Sequence, residues 1–321
     1  MAVTPNRSPA GRAFLHPVRP TARLALVVLA VAGLVYLGAA QDVSPAAFAA
    51  WAARNDYVPG TDWRSYLLIA PGNMGPNALP VFPTVRGRVD TAARVSLAAT
   101  HHRAPGDRAT DLTAEVRWPF GRRASLRVRY TALEGYRYDE SVALARNTVR
   151  PAGSGLAQGD VYVEGIFQLV RERRRWPDLA LAARIKTAAS SDVEAMRYTD
   201  TPGYAFDVSG GKDIALRRGR GVLRPFASAG FFVWQRFGEG NPQNDAFTYA
   251  AGAQWGRGRW EVVAQLAGYA GYTGELDQPL VARASIGWRL PASRWRFDVG
   301  AEFGVRDYAY DAATARLVFG G

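Results

Sequence analysis

From about residue 84 to the C-terminus the sequence alternates apolar and polar residues in stretches of roughly 10 to 14, joined by short turns and longer loops. The segment 295–306 shows the pattern best. Trp295, Phe297, Val299, Ala301, Phe303 and Val305 take one parity, while Arg296, Asp298, Gly300, Glu302, Gly304 and Arg306 take the other. A period of two fits a β-strand with two different faces and no other regular structure. An unbroken apolar row backed by this many charges suits a strand with lipid on one side and a polar lumen on the other. A soluble sandwich or lipocalin-like barrel would turn the apolar row inward and expose the charges. The expected fold is therefore all-β, a transmembrane antiparallel up-and-down barrel.

Twelve strands are expected, over 87–101, 109–119, 123–136, 159–171, 178–189, 204–216, 222–236, 246–256, 259–272, 280–290, 294–309 and 313–319. Short turns fall at 119–122, 217–221, 256–258 and 291–293, with 172–177 in phase. Longer links fall at 137–158, 190–203, 237–245 and 273–279. In outer-membrane barrels the short turns face the periplasm, which places both termini on that side.

Before the barrel, Leu24 to Ala40 is an apolar run behind a basic leader and ends in small residues, the shape of a secretory signal. The expected organisation is a signal peptide over 1–41, a periplasmic extension over 42–83 and a barrel over 84–321. Within the extension, Ser44-Pro45 and the alanine-rich Ala46–Arg54 predict a capped helix. Four prolines between Pro71 and Pro83 exclude a central strand there. This segment is expected in the periplasm or packed into the barrel mouth.

Composition narrows the function classes. The chain has no cysteine, so it forms no disulfide and has no thiol nucleophile. Its formal charge of +12 falls to +8 once Arg7, Arg12, Arg19 and Arg23 leave with the leader. No helical basic face, zinc pattern or aromatic-basic strand motif accompanies that charge, so nucleic acid is not an expected partner. His101 and His102 are neighbours on a strand, point to opposite faces and make no metal site together. Neither metal nor cofactor is expected, and no catalytic residue is assigned.

Parity gives the candidate lumen residues: Arg94, Arg117, Arg127, Arg129, Glu164, Arg184, Lys186, Asp207, Glu261, Arg283, Arg296, Asp298, Glu302 and Arg306. Basic positions outnumber acidic ones among them, so an open lumen is expected to favour anions. A second constellation, Arg197, Asp200 and Tyr204, reads either as a loop folded back into the lumen or as a loop stapled to the wall. The short turns are rich in arginine, and the long loops carry Asp139, Glu140, Asp192, Glu194 and Asp200.

Ile69-Ala-Pro-Gly-Asn-Met-Gly-Pro-Asn-Ala-Leu-Pro-Val81, the Gly106-Asp107 to Asp111-Leu112 segment and Arg197 to Asp213 together resemble a group of poorly characterised bacterial outer-membrane β-barrel proteins. The likeness covers roughly residues 60 to 320 and implies compartment and fold rather than substrate. It also implies outer-membrane lipid and lipopolysaccharide as surroundings, and the barrel assembly machinery as a partner. Barrels of this kind commonly end on an aromatic residue, whereas Phe319 is followed by Gly320-Gly321. The leading functional expectation is a narrow passive channel or small-solute transporter. A non-conducting structural or surface-interaction barrel and an outer-membrane lipid-modifying enzyme are the alternatives.

Overall fold

The computed structural model describes residues 43–237 and 243–320, and the expected leader lies outside them. Fourteen strand segments form one sheet. The first seven are β1 Arg94–Ala104, β2 Asp107–Phe120, β3 Ala124–Tyr138, β4 Gly153–Ala157, β5 Val161–Val170, β6 Asp178–Lys186 and β7 Gly203–Gly211. The rest are β8 Ile214–Ala215, β9 Val222–Gln235, β10 Gln243–Arg257, β11 Trp260–Ala270, β12 Leu280–Arg289, β13 Trp295–Arg306 and β14 Asp311–Gly320.

Strand β4 lies in line with β5 against β3, and β8 lies in line with β7 against β9. Each interrupted pair is one stave of the wall, which leaves the twelve expected. All pairings along the wall are antiparallel. Strand β1 pairs with β14 from Arg94↔Gly320 to Arg103↔Asp311, so the sheet closes without a free edge. Phe319 pairs with both Val95 and Trp295, which keeps the last strand in register up to the glycines.

The two faces follow the parity of the sequence. Phe297, Val299, Phe303 and Val305 are exposed on the outer wall, as are Leu266, Ile286 and Leu317, where only lipid gives such a row a favourable solvent. Trp260 stacks on Trp288 and Trp295 packs at a tilt against Phe319 near the short-turn end, the position of an aromatic girdle. Among the described residues no helix is long and apolar enough to cross a membrane, so strands are the membrane-crossing elements.

The first strand differs from expectation. It begins at Arg94 rather than 87, because the residues before it spend their hydrogen bonds on lumen side chains. Gly87 N donates to Ser209 Oγ at 3.0 Å and Val89 N to Gln168 Oε1 at 3.0 Å. Residues 87–93 thus run irregularly inside the barrel, from a turn at Arg86–Gly87 to the start of β1.

Of the two positions expected for the extension, the chain takes the one packed into the barrel, entered from the long-loop end. Helix α1, Pro45–Arg54, forms as predicted with Ser44 as its cap, but it lies at the long-loop end. Trp51 Nε1 donates to the Asn147 carbonyl at 3.0 Å, within the link between β3 and β4. From there the chain descends through the lumen and emerges at Arg94 beside Gly320. The helix and the end of β14 therefore occupy opposite ends of the barrel, rather than one shared side.

Candidate functional site

The descending segment is a plug built for this lumen. At the long-loop end Gly75 N donates to the Met196 carbonyl and Gly72 N to the Leu276 carbonyl, both at 2.8 Å. Gly75 is required for that approach: a Cβ there would lie 2.8 Å from the Arg197 carbonyl oxygen. Lower down, Tyr269 donates its hydroxyl to the Leu79 carbonyl at 2.7 Å, and Asn77 Nδ2 donates to Asp111 and Glu134 at 3.0 and 2.9 Å. Below these, Val85 and Val89 pack against Ile166, Ala180 and Ala182. Burying each valine contributes about 1.5–3 kcal/mol relative to leaving it wet. Gly87 takes φ +77° at the point where a Cβ would lie 2.6 Å from Gly211 N. The plug is thereby fixed to the β5–β9 wall.

On the opposite wall Tyr269, Arg283 and Glu261 also reach the plug, and two adjoining cavities remain beside these contacts. The larger, about 540 Å³, reaches the short-turn end and is lined by ten arginines and five carboxylates, with Arg94, Arg117, Arg127, Glu261, Arg296 and Asp298 among them. The smaller, about 220 Å³, lies beside Pro76–Pro83 and is lined by Arg129, Arg283, Asp298, Glu302 and Arg316 among others. Gln265, Ser285, Asp298 and Arg316 line both.

Most of these charges are paired along the wall. Arg127 Nη1 is 2.7 Å from Glu164, which also receives Arg184. The Arg184 guanidinium sits 3.9 Å from the centroid of the plug's Phe82 ring and 3.6 Å from Asp207. Glu261 and Asp298 both pair with Arg296, and Arg283 pairs with Glu302 while donating to the plug's Val81 carbonyl at 2.5 Å.

Other sequence-chosen residues lie outside this group. Lys186 is buried, 2.6 Å from Asp160 and 2.9 Å from Thr199, and so ties down the loop before β7 rather than lining either cavity. Arg306 is exposed at the rim, with Nε donating to the Gln278 carbonyl at 3.0 Å. The cause is a register shift between Leu280 and Val281, which takes the end of β13 out of the lumen row.

The loop constellation separates as well. Arg197 is wholly buried and reaches Glu134 and Asp107, both at 2.7 Å. Burial by itself lowers the Arg197 pKa, but Glu134, Tyr310 and Asp107 hold it well above its ordinary value. Asp200 is half-buried with its carboxyl pKa raised by burial, against the opposing pull of Arg64. Tyr204 is on the outer wall against Phe206 and Phe231. The three do not form one site.

Parity missed Glu134, because a register shift between Leu112 and Thr113, opposite 131–133, moves it from the outer row to the lumen. Arg316 was legible, since it shares its parity with Ala312 and Thr314 on the last strand.

A closed twelve-stave barrel with an apolar belt, aromatic girdle and charged interior leaves one architecture. The fold is that of a bacterial outer-membrane β-barrel. The COG4313 outer-membrane channel from Pseudomonas putida F1 is similar, with a TM-score of 0.52 at 11% identity over 75% of this chain and all of that one. A KdgM porin matches with a TM-score of 0.42 at 8% identity over 70% of this chain and 98% of the porin. The β-domain of the Bordetella autotransporter BrkA gives 0.44 at 15% identity over 72% and 99%. At such identities the likeness shows the fold alone. No family model and no curated protein matches the chain.

Proposed function

We propose that this barrel is a narrow passive channel for small solutes, constricted by its own residues 43–93 and with a predominantly basic lumen. One observation carries the reading: the plug leaves part of the lumen unfilled, and two adjoining cavities run beside it, the larger reaching the short-turn end. A barrel whose interior served stability alone has no need of a polar cavity of about 540 Å³. The arginine excess lining that cavity supports anion preference, because a low-dielectric wall focuses the field of the surplus charge.

The non-conducting structural barrel is the second reading, favoured by the fully buried network of Arg197, Glu134, Asp107 and Asn77 that seals the long-loop end. An enzymatic role has less support. His102 Nε2 is bonded to Asp111 and His101 Nδ1 to Thr110, and among the described residues neither ring contacts a serine.

Planar-bilayer conductance of the refolded protein decides between the first two. The channel reading expects small, anion-preferring steps that enlarge in a variant lacking residues 42–83. Silence from both proteins overturns it.

A further inference from the structure

Apart from the exposed Arg289 and Arg294 at the short-turn rim, three arginines inside the barrel stand apart from the ion-pair network. Among the described residues, Arg94, Arg129 and Arg316 have no salt bridge or side-chain hydrogen bond, although each lines a cavity. Arg316 is the pivotal one, since it lines both. The charges acting on it are the carboxylates of Glu115 and Asp298 and the cations Arg117 and Arg129. Both carboxylates are already engaged, Glu115 by Arg117 Nε and Asp298 by Arg296 Nε. What remains around Arg316 and Arg129 is uncompensated positive charge in a confined space, where an unpaired guanidinium is costly unless a counter-charge arrives.

The surroundings suit an oxyanion. Thr100 and Ser285 line the smaller cavity with the two arginines and present hydroxyl donors, Thr314 donating its own to Thr100 Oγ1 at 3.2 Å. A guanidinium presents a planar fork that matches carboxylate or phosphate oxygens with two parallel bonds. A single negative charge would satisfy one arginine and leave the other unpaired, so two or more charges on one small molecule fit best.

We propose that the lumen beside the plug is a binding site for small, multiply charged anions, held by Arg316 where the two cavities meet and by Arg129 in the smaller one, with Arg94 in the larger. The site goes beyond the channel reading, because binding requires entry from the short-turn end only and no passage through the barrel.

The test is calorimetric titration of the refolded full-length protein, in zwitterionic detergent at low ionic strength, with citrate as the probe and acetate at matched ionic strength as the comparison. Saturable citrate binding with little or none for acetate is expected. Arg316→Gln and Arg129→Gln should each weaken it by about tenfold or more, as loss of a charge-assisted bidentate contact implies. Arg316→Lys should bind more tightly than Arg316→Gln, which separates loss of charge from loss of fold. Arg257→Gln, on an exposed short turn, should bind citrate as the parent does, and heat-modifiable migration verifies that each variant is folded. Absence of saturable citrate binding to the folded parent, or equal weakening by the Arg257, Arg129 and Arg316 substitutions, would overturn the site. Conductance without citrate binding sinks this proposal alone; citrate binding by a silent protein sinks only the channel reading.

Discussion

Arg197 and Glu134 meet entirely out of water: Nε and Nη2 of the guanidinium both donate to Glu134 Oε1, at 2.9 and 2.7 Å. The same arginine reaches Asp107, which Arg146 and Tyr310 also contact. Asn77 of the plug donates to the other Glu134 oxygen, so the loop before β7, two wall strands and the plug share one network.

Removing the arginine from that network should be severe. Arg197→Ala leaves two buried carboxylates short of a counter-charge and is expected to cost about 3–5 kcal/mol. Thermal unfolding followed by heat-modifiable migration measures it. A midpoint within a degree or two of the parent would show that the network does not hold the long-loop end.

The two faces of β11 give a second expectation. Ala264 is exposed on the outer wall, whereas its neighbour Gln265 is buried and lines both cavities. Ala264→Arg places a charge against lipid at about 2–4 kcal/mol, while Gln265→Arg has polar space to enter. Equal yields of folded protein from the two variants would contradict the assignment of faces.

The plug's anchorage can be loosened one hydrogen bond at a time. Tyr269→Phe leaves the Leu79 carbonyl without its donor, a loss of about 0.5–1.5 kcal/mol that falls mainly on the plugged state. More frequent or longer openings in bilayers are expected, with the barrel's melting midpoint little changed. An unaltered opening frequency would mean that this bond does not help to hold the plug.

Asp200 gives a pH signature. Its carboxyl pKa is raised in the folded protein by burial, so the fold favours the protonated acid. The group costs nothing below its unfolded pKa of about 3.9 and becomes destabilising as pH rises from there through the folded value. Asp200→Asn should therefore raise the melting midpoint at pH about 7 and leave it unchanged near pH about 3. The same shift at both pH values would assign the effect to something other than this titration.

Topology is open to labelling on intact cells. Single cysteines at Ser154 and Ser190, on the long-loop side, should react with an impermeant reagent, and one at Ser293 in a short turn should not. Reaction at Ser293 alone would invert the barrel and put helix α1 in the periplasm.

Residue order is enough to specify the wall. Period-two alternation fixes which side chains meet lipid and which meet the lumen, and the turn residues fix where each stave reverses, so twelve staves and nearly all inward charges were legible from residue order alone. It failed where a register shift breaks the period, as at Glu134 and Arg306, because one extra residue reverses parity without any mark in composition. Tertiary structure alone decided the course of residues 43–93. Their contacts are with backbone carbonyls and side chains from β2 to β12, distant in sequence, and an irregular segment rich in proline and glycine carries no periodicity to announce which surface it will bury. Which arginines remain unpaired was likewise settled in three dimensions: pairing depends on which carboxylates the closed barrel brings within reach, and Arg316 differs from Arg296 only in that its nearby acids are already taken.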